Sequence, residues 1–159
     1  MRNKAKGETI MNLSIREGIF SDFEHITLLN RTEMGLETPL SQTKMALGKI
    51  LSDPKHKLFV ATIDEDIVGY VHANDYDSLL EPPMKNIVAL AVSSKFQHTG
   101  VAKQLIHAVE LWAMDTSAAG VRLISGETKV DSRSFYHSCG YSGDRHQIKL
   151  KKVFLNNYR

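Results

Sequence analysis

A single cysteine, Cys139, occurs in the 159 residues. No internal disulfide can form, so packing must hold the fold, and a reducing cytoplasm is the expected setting. Long apolar runs are absent as well: none approaches the ~20 residues that a membrane-spanning helix needs. Neither sign of charge dominates, with 20 Lys and Arg against 18 Asp and Glu and a net charge of +2. The basic residues are scattered, with no run of them interleaved with aromatics, which argues against a nucleic-acid partner. Seven histidines and one cysteine show neither H-x-x-x-H nor C-x-x-C spacing, so no metal is expected. Cys139 itself suits packing at a helix end rather than nucleophilic chemistry. The first ten residues, MRNKAKGETI, are charged and lack an apolar centre, unlike a secretory signal. Residues 1–11 are expected to be a disordered extension, with Met11 as an alternative start. Repeats, low-complexity tracts and linkers are missing, so residues 12–159 should form one domain with a continuous core.

What is present is an ordered succession of strand and helix patterns. A short strand is expected at Leu13–Arg16. A helix follows from Ser21, where Ser21 and Glu24 fit the S-x-x-E capping box and Phe23, Ile26 and Leu29 make an apolar stripe. The segment Thr38-Pro39-Leu40 suits a loop, and a second helix from about Ser41 should turn Met45, Ile50 and Leu51 inward. Lys57–Ile63 and Ile67–Asn74, joined by Asp64-Glu65-Asp66, form a hairpin pattern. Asp75–Met84 is loop-like because Pro82-Pro83 suits neither sheet nor helix interior. Ile87–Val92 is a continuous apolar run, as expected of a strand buried on both faces.

From Gly100 a long helix is marked by Val101, Leu105, Ala108, Val109 and Trp112, with Ala102, Ile106 and Ala113 widening the apolar face. Val121–Ser125 is expected to be another buried strand. A short helix from Ser132 to Cys139 ends at Gly140, a left-handed cap. Ile148 and Leu150 alternate with Lys149 and Lys151, so Gln147–Leu155 should close the sheet. The fold class is therefore α/β: one mixed, mostly antiparallel sheet with a parallel strand pair and flanking helices.

The chemistry is carried by Phe96-Gln97-His98-Thr99-Gly100-Val101-Ala102-Lys103. A strand that ends in a short loop opening a helix presents unpaired N–H groups and the positive end of a helix dipole, a site for phosphate. A Walker A loop would need lysine after the glycine, where Val101 stands. A dinucleotide-binding G-x-G-x-x-G belongs to the first strand-turn-helix unit, whereas this loop comes late with one glycine. Relief of crowding at a strand-helix turn is the plainer role for Gly100.

Gln97-x-x-Gly100-x-Ala102, after Ile87-Val88-Ala89-Leu90-Ala91-Val92, resembles the acetyl-CoA-binding motif Arg/Gln-x-x-Gly-x-Gly/Ala of the GNAT superfamily of N-acetyltransferases. Phe135-Tyr136-His137-Ser138-Cys139-Gly140-Tyr141 resembles the same family's FYxxxGF segment, with tyrosine for the last phenylalanine. Element order agrees over Leu13–Leu155. Two departures stand out: His98 occupies a place where glycine is common, and Asp131-Ser132-Arg133 replaces a small, often asparagine-containing stretch.

The resemblance implies a splayed parallel pair, Ile87–Val92 and Val121–Ser125, with the pantetheine arm of acetyl-CoA entering between them. Backbone groups of Leu90 and Val92 would bond the thioester carbonyl and the pantetheine amides, with Ala91 lining the arm. A preorganised N–H at a developing oxyanion contributes ~3 kcal/mol in comparable acyl transfers. Backbone N–H groups of His98, Thr99, Gly100, Val101, Ala102 and Lys103 would hold the pyrophosphate. Gln97 and Lys103 side chains would add contacts, as would Ser132. Tyr136 is the candidate general acid, since a phenol of pKa ~10 can share a proton with a departing thiolate of ~8.5. Glu127 and His72 are candidate bases, as is a base acting through ordered water.

The acceptor should meet the first two helices and the loop before the central strand, where Glu33, Glu37, Asp75, Asp77 and Glu81 would attract a cationic amine. An acidic loop at that place also resembles aminoglycoside 6′-N-acetyltransferases; polyamines, protein lysines and N-termini fit as well. The alternative of another class is a non-catalytic acyl-CoA-binding regulatory module, which would keep the Gln97 loop without needing Tyr136. The final strand could pair with a second copy, leaving monomer and homodimer both open.

Overall fold

A computed structural model describes residues 12–125, 130–143 and 145–155. The expected extension at 1–11 lies outside them. The chain divides into two units that part between Leu123 and Ile124.

The first unit runs β1 (Leu13–Glu17), α1 (Phe23–Met34), α2 (Leu40–Ser52), β2 (His56–Ile63), β3 (Asp66–Tyr76), β4 (Met84–Val92), α3 (Val101–Asp115) and β5 (Val121–Leu123). Its five strands lie in chain order, antiparallel from β1 to β4 and parallel between β4 and β5. The mixed α/β sheet expected from the pattern is thus present. Its central hairpin is set by chemistry at the turn. Asp64 and Glu65 take φ of 50° and 72°, the paired left-handed conformation whose twist matches that of the flanking strands, and Ile63 then faces Asp66.

Helix entry differs from expectation. A single 3₁₀ turn, Phe20–Asp22, precedes α1, so Ser21 lies inside that turn and no Ser21–Glu24 box caps the helix. Asp22 serves instead: its Oδ2 accepts the Ile19 N–H at 2.8 Å, and both its oxygens accept Arg16 guanidinium N–H groups at 2.9 Å. In α2 the buried residues are Thr43 and Leu47, with Ile50 half-buried. Met45 is 61% exposed, and Leu51 is exposed too. Thr43, Leu47 and Ile50 form one stripe, and Met45 falls roughly 200° around from Thr43 at 3.6 residues per turn.

Ile26, Leu29 and Leu47 of α1 and α2 pack on Leu58, Val60, Tyr70 and Ala91. Ala61, Val71 and Ala73, of the other strand parity, are fully buried as well, so both sheet faces are covered. From α3, which packs on β2, β3 and β4, Val101, Leu105, Ile106 and Val109 are completely enclosed. Each such side chain contributes about 1.5–3 kcal/mol.

β4 is not buried throughout. Ile87 and Ala91 are buried, but Val88 is 50% exposed. The pairing explains it: Ala73 faces Ile87 and His72 faces Ala89, so Val88 is an extra residue in a β-bulge. β3 runs on through Asp75 and Tyr76, shortening the expected loop to 77–83. β5 is short and half-buried rather than a buried strand reaching Ser125.

In the second unit, α4 (Val130–Ser138) is followed by Gly140 at φ 91°. The Tyr141 N–H bonds the Tyr136 carbonyl at 3.0 Å, the expected left-handed helix exit. Residues 145–155 form no strand, which corrects the expectation of a closing strand at Gln147–Leu155. Ile148 and Leu150 are 85% and 88% exposed; alternation supplies two faces, but a strand also needs a ladder partner. The strand edge that was to meet a second copy is not formed there. Among the described residues, no helix is long and apolar enough to cross a membrane.

Candidate active site

The segment from β4 to α3 is an open cradle of backbone donors. Ser94–Phe96 forms a 3₁₀ turn and Gln97 leaves it extended, at φ −64° and ψ 148°. His98 then takes φ 62° and Gly100 φ 88°. No side chain caps α3. The Gln104 N–H bonds the Gly100 carbonyl at 3.1 Å, so the N–H groups of Val101, Ala102 and Lys103 precede the helical ladder and have no intrahelical acceptor.

Nothing lies within 4 Å of where a Gly100 Cβ would stand. Relief of crowding is therefore not its role; its positive φ is. Alternating conformations of this kind turn successive N–H groups to one side and favour an anion. The Thr99 hydroxyl donates to the Phe96 carbonyl and braces the loop. Gln97, His98, Thr99 and Lys103 are exposed, whereas the Val101 side chain is buried and anchors the helix start. These residues fit a pyrophosphate.

The neighbouring edge fits an extended arm. The β4–β5 ladder pairs only Lys85–Ile87 with Val121–Leu123. From the bulge at Val88 to Val92, β4 pairs with β3 alone among the described residues. Leu90, Ala91 and Val92 lie on this free edge, directly before the cradle.

The acidic residues do not form one cluster. Glu33, on α1, accepts the Ser94 N–H at 3.1 Å and so ties α1 to the end of β4. Asp75 is committed to Lys85, whose buried ammonium it pairs with and which also sits 3.9 Å from the Trp112 ring centroid. Asp77 and Asp75 line a cavity of about 210 Å³ with Lys85, Met84 and Trp112. Glu81 lies 4.0 Å from Arg122, which stacks on Tyr76. Asp75, Asp77 and Glu81 thus gather at the start of β4, eight residues and ~26 Å along the strand from Val92. Glu37 is exposed between α1 and α2.

Ser132 and Tyr136 lie on α4 in the second unit, both half-buried. The Tyr136 ring packs edge-on to Tyr141 at 6.2 Å. Burial first, and the Cys139 sulfur second, push its phenol up from the ordinary value, which favours the protonated form. Glu127 lies outside the described residues.

His72 occupies β3 opposite Ala89, and its Nε2 lies 2.9 Å from Nδ1 of His56. Burial, then the charge of His56, push its pKa down to about 4. His56 escaped the sequence reading, because its partner is sixteen residues away and only the hairpin register brings the rings together. The bulge at Val88 escaped it too, since an apolar run carries no mark of an extra residue. Among the described residues, no group of three or more His, Cys, Asp or Glu side chains could hold a metal.

Residues 20–141 match the family model described as the acetyltransferase (GNAT) family. No curated protein matches the chain. Among solved structures, the aminoglycoside N-acetyltransferase AAC(6')-Iy, in complex with the bisubstrate analog CoA-S-monomethyl-acetylneamine, is 21% identical with a TM-score of 0.80. That match covers 90% of this chain and 99% of that one. A protein described as a transcriptional regulator from Bacillus halodurans C-125 is 21% identical, with a TM-score of 0.78 and coverage of 89% and 100%. An aminoglycoside acetyltransferase from an uncultured soil metagenomic sample, in complex with trehalose, is 20% identical, with a TM-score of 0.76 and coverage of 90% and 97%. The structures agree in fold, and the family match spans both the cradle and the Tyr136 segment: the chain belongs to the acetyltransferase (GNAT) family.

Proposed function

We propose that this protein transfers an acetyl group from acetyl-CoA to a primary amine of a small cationic acceptor, by direct attack in a ternary complex. One observation carries the proposal: the donor cradle at His98–Lys103 follows closely on the β4 edge at Val88–Val92, which is unpaired among the described residues. A pyrophosphate and an amide-bearing arm need those two features side by side. The cradle holds phosphate oxygens on backbone N–H groups, with the Gln97 and Lys103 side chains at its rim. The Leu90 and Val92 backbone orients the thioester and polarises its carbonyl. Ser132 adds a cofactor contact, and Tyr136 donates a proton to the departing sulfur. Acetyl-CoA supplies the activated acyl group.

Glu33, whose carboxylate stands at the end of β4, is the carboxylate best placed to attract a cationic acceptor to the thioester, whereas Asp77 lies at the far end of the strand. Asp75 and Glu81 already face cations of this chain. Aminoglycosides lead the acceptor candidates, because two of the similar folds are described as aminoglycoside acetyltransferases. Release of CoA thiol should depend on added amine in a panel of aminoglycosides, polyamines and lysine peptides. Tight acetyl-CoA binding with no thiol release from any amine would overturn the proposal. A second reading, a CoA-responsive regulatory module, is favoured only by the similar fold described as a transcriptional regulator, and that same result would support it.

A further inference from the structure

Three features meet at one point of β4. The bulge at Val88, the end of the β4–β5 ladder after Ile87 and the His72–Ala89 pair all fall within two residues. His72 is thus one strand spacing, ~4.8 Å, from β4, where the free edge begins. By alternation it shares the sheet face of Tyr70, as His56 shares that of Leu58.

Behind His72 stands a chain of groups leading outward. Its Nε2 is 2.9 Å from His56 Nδ1, and the two rings stack at 5.1 Å with 21° between planes. His56 Nε2 faces Asp53 Oδ2 at 3.9 Å. Asp53 is itself held: its Oδ1 accepts the Lys55 N–H at 2.9 Å, and its carbonyl accepts the His56 N–H at 3.0 Å. The side chains of His56 and Asp53 are 27% and 46% exposed, so the chain ends in solvent.

Charge decides the tautomers. A carboxylate facing His56 Nε2 would favour the proton there, and in that tautomer pair His56 accepts at Nδ1 and His72 donates from Nε2. A lone pair is left on His72 Nδ1. With its pKa near 4, His72 stays neutral in use but cannot retain a proton that it takes. A second imidazole in contact removes that difficulty.

We propose that His72 Nδ1 accepts the proton from the attacking amine and that His56, positioned by Asp53, carries the charge to solvent. As the amine nitrogen bonds the acyl carbon, the C–S bond breaks and sulfur leaves with the electron pair. One N–H proton passes to His72 Nδ1, and the Nε2 proton of His72 moves to His56 Nδ1. His72 ends neutral, and His56 ends as an imidazolium facing the Asp53 carboxylate until solvent takes a proton. The role rests on the acetyl-transfer proposal above.

Two arms test it. NMR of isotope-labelled histidine in the ligand-free protein should show His72 protonated on Nε2 and bare on Nδ1, with His56 bare on Nδ1; the opposite tautomers would overturn the relay whatever the activity. In the second arm, His72→Ala, or His72→Gln should the first fold poorly, should lower kcat ~10²-fold with acetyl-CoA affinity unchanged. Added imidazole should restore part of the rate in His72→Ala, and His56→Phe should lower kcat with the amine KM unaltered. A full rate in the His72 variants, or a loss that imidazole does not repair, would remove His72 from the reaction while leaving acetyl transfer standing. A parent protein that binds acetyl-CoA yet acetylates no amine would overturn the acetyl-transfer proposal itself and the role of His72 with it.

Discussion

Gly100→Ala separates the two properties of the loop, its backbone conformation and its openness. At φ 88° an L side chain is strained whatever the space around it, and here the space is empty to 4 Å. No steric clash therefore adds to the backbone term, which is about 1–2 kcal/mol for a residue with a Cβ. Replacing glycine also stiffens the unfolded chain, which offsets about 0.4–1 kcal/mol of that cost. The expected net loss is roughly 1 kcal/mol, or a fall of ~2–4 °C in Tm for a chain of this size. The new methyl group would enter the open space over the loop, where phosphate oxygens should bind. Loss of one charge-assisted hydrogen bond costs about 1.5–3 kcal/mol, a rise of ~10- to 150-fold in Kd for acetyl-CoA. Calorimetric titration with acetyl-CoA, beside thermal denaturation of the free protein, reads both effects. An unchanged Tm would refute the conformational argument. A lowered Tm with unchanged Kd would show that the loop does not cradle the cofactor.

Tyr136→Phe should reduce kcat ~10²-fold while acetyl-CoA affinity holds, as expected of a proton donor that does not bear the binding energy; steady-state rates beside titration calorimetry decide it. Asp75→Asn should act on stability rather than on substrate: it leaves the buried Lys85 ammonium without its counter-charge, a loss of about 3 kcal/mol in urea unfolding. An unchanged midpoint with a raised amine KM would instead put Asp75 in the acceptor site. Asp22→Asn addresses pH. Burial opposes ionisation of Asp22, but the hydrogen bonds from Arg16 and the Ile19 N–H outweigh it and hold the carboxyl below its usual range. The stabilisation is therefore present above the unfolded value of about 3.9 and is lost as pH falls through the folded one. The variant should be less stable by about 1–2 kcal/mol at neutral pH, a figure reduced for the exposure of Arg16. The two proteins should converge in acid, and a gap that persists there would refute the assignment.

Local chemistry made several elements legible in the chain. The acidic turn at Asp64-Glu65 sets the β2–β3 hairpin, and Gly140 ends α4 in the left-handed conformation. The helical spacing of Val101, Leu105, Val109 and Trp112 matches the buried face of α3. Gln97, Gly100 and Ala102 marked the cradle, because a strand-loop-helix junction carries its unpaired donors wherever it occurs. The departure at His98 also has a conformational meaning: φ 62° is the region that favours glycine, the residue common there in the family it resembles.

Other features depended on partners far along the chain. Ser21 offered a plausible cap, but the buried Asp22, paired with Arg16, took the helix entry. Met45 was expected to face inward, yet α2 turns it to solvent, since Thr43 and Leu47 take the buried face. Alternation at Ile148 and Leu150 promised a strand, and no ladder partner completed it among the described residues. The sequence by itself determined the donor loop, the sheet class and the family resemblance, because turns, caps and periodicity are written within a few adjacent residues. Only the tertiary structure decided that Asp75 pairs with Lys85, that β4 bulges at Val88, and that His72 meets His56. Those contacts depend on strand register and on which residues compete for one buried charge, and neither is set until the sheet has formed.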